Sequence, residues 1–145
     1  MLGDKGRTIR IGVVGLGGRG MGQMATLLDM QDVEVAAVCD LYEDRAQAGC
    51  KLVKAMRGNE PAVHSDYRAL VEQKDIEAVV ITSSWTSHAP IAVAAMQAGK
   101  YAAMEVGGAA SLEECWQLVR VSEQTGRPCM MLENCCYNRE EMALL

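Results

Sequence analysis

The apolar run Thr8-Ile9-Arg10-Ile11-Gly12-Val13-Val14-Gly15 leads directly into Gly15-Leu16-Gly17-Gly18-Arg19-Gly20. No other stretch constrains the fold as strongly. β-Branched residues at this density predict a strand, and glycines at G-x-G-x-x-G spacing predict a tight turn from that strand into a helix. Each glycine then serves a distinct purpose, since Gly15 permits the turn, Gly17 lets the backbone approach a phosphate, and Gly20 lets the helix lie close to the strand. Glycines are common on surfaces, so the motif gains its meaning from an acid further along the chain. Asp40 stands twenty residues beyond Gly20, at the end of a second predicted strand, Val33 to Cys39. A carboxylate there can accept hydrogen bonds from the hydroxyls of an adenosine ribose, and the whole arrangement points to a dinucleotide. It also selects one. Asp40 repels a 2′-phosphate, and Leu41 supplies no arginine to accommodate it, so NAD is favoured over NADP. The competing role for Asp40 is a cap on the next helix, and the two roles are compatible.

The rest of the chain repeats the alternation. A helix is predicted from about Gly20 to Met30 with Met21, Met24, Ala25 and Leu28 on one face, and another from Glu43 to about Met56, stopping at Gly58. Ala62 to His64 is a short strand, Asp66 to Glu72 a short helix, and Ala78 to Thr82 a β-branched run suited to a fully covered parallel strand. An Ala-rich helix comes next over Pro90 to Ala98, with Pro90 placed in its first turn and Gly99 at its stop. After a strand at Lys100 to Glu105, Ser111 and Glu114 form a capping box for a helix with Leu112, Cys115, Trp116 and Val119 expected to face inward. Pro128 to Leu132 is a last strand, and a helix begins near Asn138. Strands alternating with helices build βαβ units with right-handed crossovers, so the expected fold is α/β: a doubly wound parallel sheet forming a single domain over residues 1–145. The final helix carries no stop signal before Met142-Ala143-Leu144-Leu145, which suggests a domain cut from a longer, two-domain protein.

Composition narrows the function. A net charge of -5 with no basic cluster argues against nucleic acid or an anionic membrane as partner, since both are held by concentrated Lys and Arg. No stretch reaches the 18 or so apolar residues of a membrane span, and Met1 to Arg10 is too polar for an export signal. The six cysteines contain no C-x-x-C pair, and Cys135 adjoins Cys136, a poor arrangement for zinc or for a disulfide framework. Buried thiols in a reducing compartment, and no metal, are the expectation. Phe is absent while Met and Ala abound, which suits helices laid tightly on a sheet.

Two further segments fall at carboxyl ends of predicted strands, where doubly wound sheets bind ligands. In Thr82-Ser83-Ser84-Trp85-Thr86-Ser87-His88, Trp85 offers a flat face and His88 lies near a helix N-terminus, which disfavours an imidazolium. A half-buried anchor and a surface cap are the plainer roles for these two. In Tyr101 to Ala110 the apolar strand ends in a lone carboxylate, Glu105, followed by Val106, Gly107 and Gly108.

The glycine loop, Asp40, the stretch TSSWTSHAPIAVAAMQAGKYAAMEV and the terminal CMMLENCCYNREEM together resemble the nucleotide-binding domain of the Gfo/Idh/MocA family of sugar and polyol oxidoreductases. The resemblance covers essentially the whole chain. In most of that family the strand bearing Glu105 ends in Glu-Lys-Pro, whose lysine helps deprotonate the substrate hydroxyl; this chain has Val106 there. Trp-x-x-His, Glu-Val and Glu-Asn-x-x-Tyr are similar instead to the branch called glycoside hydrolase family 109, typified by α-N-acetylgalactosaminidases that retain NAD. The resemblance implies cofactor contacts at Gly18, Arg19, Asp40, Trp85, Thr86, Ser87, His88, Glu105, Val106 and Asn134, with Tyr137 a candidate on the substrate side. It implies a cycle in which a sugar hydroxyl is oxidised, the adjacent C–H becomes acidic, the glycoside is eliminated, water adds, and the hydride is returned, outside the usual two-carboxylate scheme. A sugar dehydrogenase and a non-catalytic nucleotide sensor are the alternatives. Catalytic groups and a homo-oligomer interface are implied for a second domain, so these residues alone are expected to bind NAD weakly and turn over nothing. The chain as given reads as cytoplasmic, although members of this branch are often exported.

Overall fold

The computed structural model describes residues 7–144; residues 1–6, which open the polar N-terminal segment, and residue 145 lie outside it. Six strands alternate with helices: β1 Ile9–Val14, α1 Gly18–Asp29, β2 Val33–Cys39, α2 Glu43–Arg57, β3 Ala62–His64, α3 Tyr67–Val71, β4 Ala78–Ile81, α4 Trp85–Gln97, β5 Tyr101–Met104, α5 Leu112–Thr125 and β6 Cys129–Met131. A 3₁₀ turn, Asn134–Tyr137, and a short α6, Arg139–Met142, complete the described chain. All strand pairs are parallel, in the order β3-β2-β1-β4-β5-β6. The order reverses between β1 and β4, so the loops after these two strands diverge and leave a crevice at their carboxyl ends.

Side chains alternate across the sheet and feed two cores. On one face Val13, Val35 and Val38 meet Met24 and Leu28 of α1 and Val53 of α2. On the other, Val14, Val79 and Ile81 meet Leu70 of α3 and Ala92, Ala95 and Met96 of α4. Ala89, Ala92 and Ala95 are fully buried at three-residue spacing, a row of small side chains that lets α4 lie close to the sheet. Each fully buried Val or Leu contributes about 1.5–3 kcal/mol to this sandwich. Helix α2 ends as its sequence signals, with Gly58 in the left-handed region at φ 80° and its N–H bonded to the Lys54 carbonyl.

Several expectations are corrected. Helix α1 starts at Gly18 rather than Gly20, so half of the glycine motif already belongs to the helix. Helix α4 starts at Trp85, which moves Pro90 from the first turn to the interior, where its missing N–H leaves the Thr86 carbonyl without its helical donor. The polar, proline-marked start looked like loop, but the hydroxyl-rich Ser84-Trp85-Thr86-Ser87 closes its own turn through the Ser87 N–H and the Ser84 carbonyl at 2.9 Å. Helix α5 presents the opposite face: Leu112, Cys115, Trp116 and Val119 are exposed, and Leu118 and Val121 pack on the core. Its capping box does form, with the Glu114 N–H on Ser111 Oγ at 3.2 Å and Glu114 Oε2 accepting the Ala110 N–H at 2.6 Å. Only Cys39 and Cys50 are buried thiols; Cys129 is partly covered, and Cys115, Cys135 and Cys136 are exposed.

Candidate dinucleotide site

Gly15 has φ 95°, and a Cβ on it would lie 2.5 Å from the Ser83 nitrogen, so the turn out of β1 runs against the end of β4. Gly20 is tighter still: a Cβ there would meet the Gly15 carbonyl oxygen at 2.0 Å and Thr82 Oγ1 at 2.6 Å. Thr82 Oγ1 in turn donates to the Gly15 carbonyl, bracing the loop from β4. The ligand side is the reverse. A Cβ on Gly17 would find only Arg45 Nη1, at 3.9 Å, and one on Gly18 nothing within 4 Å. Open space therefore lies beside Gly17 and Gly18 at the N-terminus of α1, where a helix leaves its first N–H groups without helical partners, which fits a pyrophosphate in both shape and charge.

Asp40 ends β2 beside this cradle, 8% exposed. Its Oδ2 accepts the Leu16 N–H at 2.7 Å and its Oδ1 the Tyr42 N–H at 2.9 Å. The cap residue of α2 is Tyr42, so Asp40 steadies the entry to that helix without being its cap. The carboxylate thus ties the glycine loop to β2 and borders a cavity of about 580 Å³ that also reaches Gly15, Gly17, Ser83 and Ser87. Two arginine-over-tyrosine pairs line the same cavity, Arg45 on Tyr42 at 4.7 Å and Arg68 on Tyr67 at 4.8 Å. Sequence reading missed these four residues. Strand order was the available signal, because β3 neighbours β2 and delivers Tyr67 and Arg68 next to Asp40.

Across the switch point a second group gathers around Glu105, just beyond β5. Its Oε1 accepts Arg19 Nε at 2.8 Å and Nη2 at 2.7 Å, and also the Gln23 amide; its Oε2 accepts the Val106 N–H at 3.2 Å. Arg19 Nη2 also donates to Asn134 Oδ1 at 3.0 Å. Three residues named from sequence, Arg19, Glu105 and Asn134, therefore meet, together with Gln23, which was not foreseen. Trp85 is 68% exposed, with its ring laid against Gly107, whose φ of 90° and absent side chain make room: a Cβ would meet the ring at 2.7 Å. Glu133 accepts the Cys135 N–H at 2.7 Å, which holds the Glu133 carboxyl below its ordinary value, while the side-chain hydrogen bond and the charge that Glu133 presents to the Cys135 thiol raise that thiol.

The remaining sequence candidates do not join either group. His88, for which a surface cap was one reading, is fully buried, with Nε2 donating to the Ser83 carbonyl at 3.0 Å and Nδ1 unpartnered. It supports the Ser83–Ser87 turn from beneath. Thr86 and Tyr137 are exposed, and Tyr137 ends the 3₁₀ turn that Asn134 begins.

A parallel sheet with this strand order, a glycine cradle at its switch point and an acid ending β2 define a dinucleotide-binding Rossmann domain. Residues 9–133 match the GFO/IDH/MocA oxidoreductase family with its NAD-binding Rossmann fold, and the chain belongs to that family. It is 41% identical over 146 residues to a glycosyl hydrolase family 109 protein of Streptomyces filamentosus, covering 98% of this chain and 30% of the relative. It is 34% identical over 149 residues to an alpha-N-acetylgalactosaminidase of Shewanella oneidensis, covering 100% of this chain and 32% of the relative. The crystal structure of a scyllo-inositol dehydrogenase from Lactobacillus casei with bound NAD(H) and scyllo-inositol superposes with a TM-score of 0.86 over 95% of this chain and 40% of that one; at 21% identity this likeness shows the fold alone. The chain spans about a third of the length of the curated relatives it matches. No helix among the described residues is long and apolar enough to cross a membrane.

Proposed function

We propose that this chain is the cofactor domain of an NAD-dependent glycosidase of the α-N-acetylgalactosaminidase type. The observation that carries the reading is Val106. It follows Glu105 at the carboxyl end of β5, beside the crevice, where the resemblance drawn from the sequence sets a proton-carrying lysine in the dehydrogenases. Valine can neither take nor give a proton, so a hydroxyl oxidised here needs its base from elsewhere. Similarity to relatives named for family 109 supports the same branch.

The parts of the site divide the work. Gly17, Gly18 and the start of α1 hold the pyrophosphate, Asp40 holds the adenosine ribose, and Ser83 and Ser87 line the crevice between the two halves. Glu105, Arg19 and Asn134 border the half that carries the nicotinamide. Bound NAD supplies reversible hydride acceptance, which makes the C–H beside an oxidised sugar carbon acidic enough for elimination. The carbohydrate substrate, and a homo-oligomer built outside this domain, belong to this proposal.

A sugar dehydrogenase is the second reading, favoured by the oxidoreductase description of the family. The parent protein incubated with an aryl α-N-acetylgalactosaminide separates the two. Release of the aryl alcohol with no net NADH is the expected result. Steady NADH accumulation with free sugars, and no aryl alcohol, would overturn the glycosidase in favour of the dehydrogenase.

A further inference from the structure

Glu105 is the most fully donated carboxylate at the mouth of the crevice, and both of its side-chain donors come from one helix. Arg19 and Gln23 lie one turn apart on α1 and share its Oε1. The side chain is 12% exposed, so its charge is only partly screened by water. Gln23 Oε1 is buried without a partner, which leaves the amide donor as the one group of that side chain the fold uses.

Position gives this charge a target. Asp40, ending β2, takes the adenosine half of a dinucleotide, and the ligand crosses the switch point between β1 and β4. The nicotinamide half then falls beside β4 and β5, where Glu105 ends the strand. The nicotinamide ring carries a positive charge when oxidised and none when reduced. A fixed carboxylate near it therefore favours the oxidised form, and a guanidinium on that carboxylate diminishes the effect.

We propose that Glu105 sets the preference of the site for oxidised over reduced NAD, with Gln23 as its positioning residue and Arg19 as the counter-ion that damps it. The inference rests on the binding of NAD and on the direction in which it crosses the sheet, not on the glycosidase assignment. A site that favours the oxidised form makes the bound reduced form a stronger hydride donor, which suits a cycle that returns its hydride.

The test is the ratio of affinities. NAD+ is titrated into this chain by calorimetry and NADH by its fluorescence, for the unaltered protein and for four variants. Glu105→Gln, isosteric and able to keep the Val106 contact, is expected to lower the preference for NAD+ about tenfold. Gln23→Leu lowers it less, Arg19→Gln raises it, and Asp40→Ala weakens both forms by one common factor. A purely structural role would not move the ratio in opposite directions for Glu105 and Arg19. Equal losses for both forms in Glu105→Gln, or a ratio that falls in Arg19→Gln, would overturn the proposal. Failure of the unaltered chain to bind either form would overturn the cofactor site beneath it, a separate and recognisable result.

Discussion

At Gly20 the separation between helix α1 and the strand before it is governed by the absence of one methyl group. The obstacle a Cβ would meet at 2.0 Å is the Gly15 carbonyl, which is backbone and has nowhere to move. Gly20→Ala is therefore expected to cost about 1–3 kcal/mol and to open the cradle, lowering both the urea midpoint and the NAD affinity. Gly18→Ala is the counterpart: it meets nothing within 4 Å at the first position of the helix, so its urea midpoint should hold or rise slightly. These glycines and Asp40 could be read from the sequence because their roles arise from local geometry and a fixed spacing. Gln23 and Arg45 could not. Gln23 meets its partner 82 residues away, and nothing in the helix that carries it distinguishes it from a solvated glutamine.

Among the elements, α5 separates what periodicity can and cannot say. Its apolar residues recur at helical spacing on two faces, Leu112-Trp116-Val119 and Leu118-Val121, and the period alone does not choose between them. The bulkier face was the natural expectation for the core, but the sheet receives the slimmer one. Helix α5 joins the core beside α4, with Val121 buried and Leu118 packed against the same cluster, while Trp116 stays 55% exposed. Truncation therefore works against size. Trp116→Ala, at 55% exposure, should change stability by no more than about 0.5 kcal/mol, while Val121→Ala should cost about 1–3 kcal/mol, both read from denaturant melts. Equal costs would return Trp116 to the core. Helix α4 teaches a related lesson: Pro90 marked a helix start because prolines usually do, yet the backbone turn from Ser84 to Ser87 starts the helix more than a turn earlier, at Trp85.

For the molecule as a whole, the carboxyl edge of the sheet gathers negative charge above a buried thiol. Cys39 is pushed from its ordinary 9.0 up to about 11, first by burial and then by Asp40 and Asp66. Because the folded value lies above the unfolded one, this stability is intact below pH 9 and is lost as the pH climbs through about 11, by about 2–3 kcal/mol in all. Lys100 runs the other way: loss of water around its ammonium lowers it, although its Nζ donates to the Gln73 and Ile76 carbonyls, so its contribution grows with pH below the ordinary lysine range. The comparison that isolates the thiol is the denaturant midpoint at pH 8 and pH 10.5 in the unaltered chain and in Cys39→Ala. The unaltered chain should lose more stability between the two, and parallel losses would show that Cys39 ionises without cost. By itself the sequence determined the order of strands and helices, the doubly wound parallel sheet, the glycine cradle and the acid beside it. All of these arise from patterns within roughly thirty residues, the length of a βαβ unit. Only the tertiary structure decided which face of α5 meets the core, that His88 is buried, that two arginines line the cavity beside Asp40, and that Arg19 and Gln23 converge on Glu105 while Asn134 holds Arg19. Those outcomes depend on elements far apart in the chain being packed to a particular depth, and no local pattern encodes that depth.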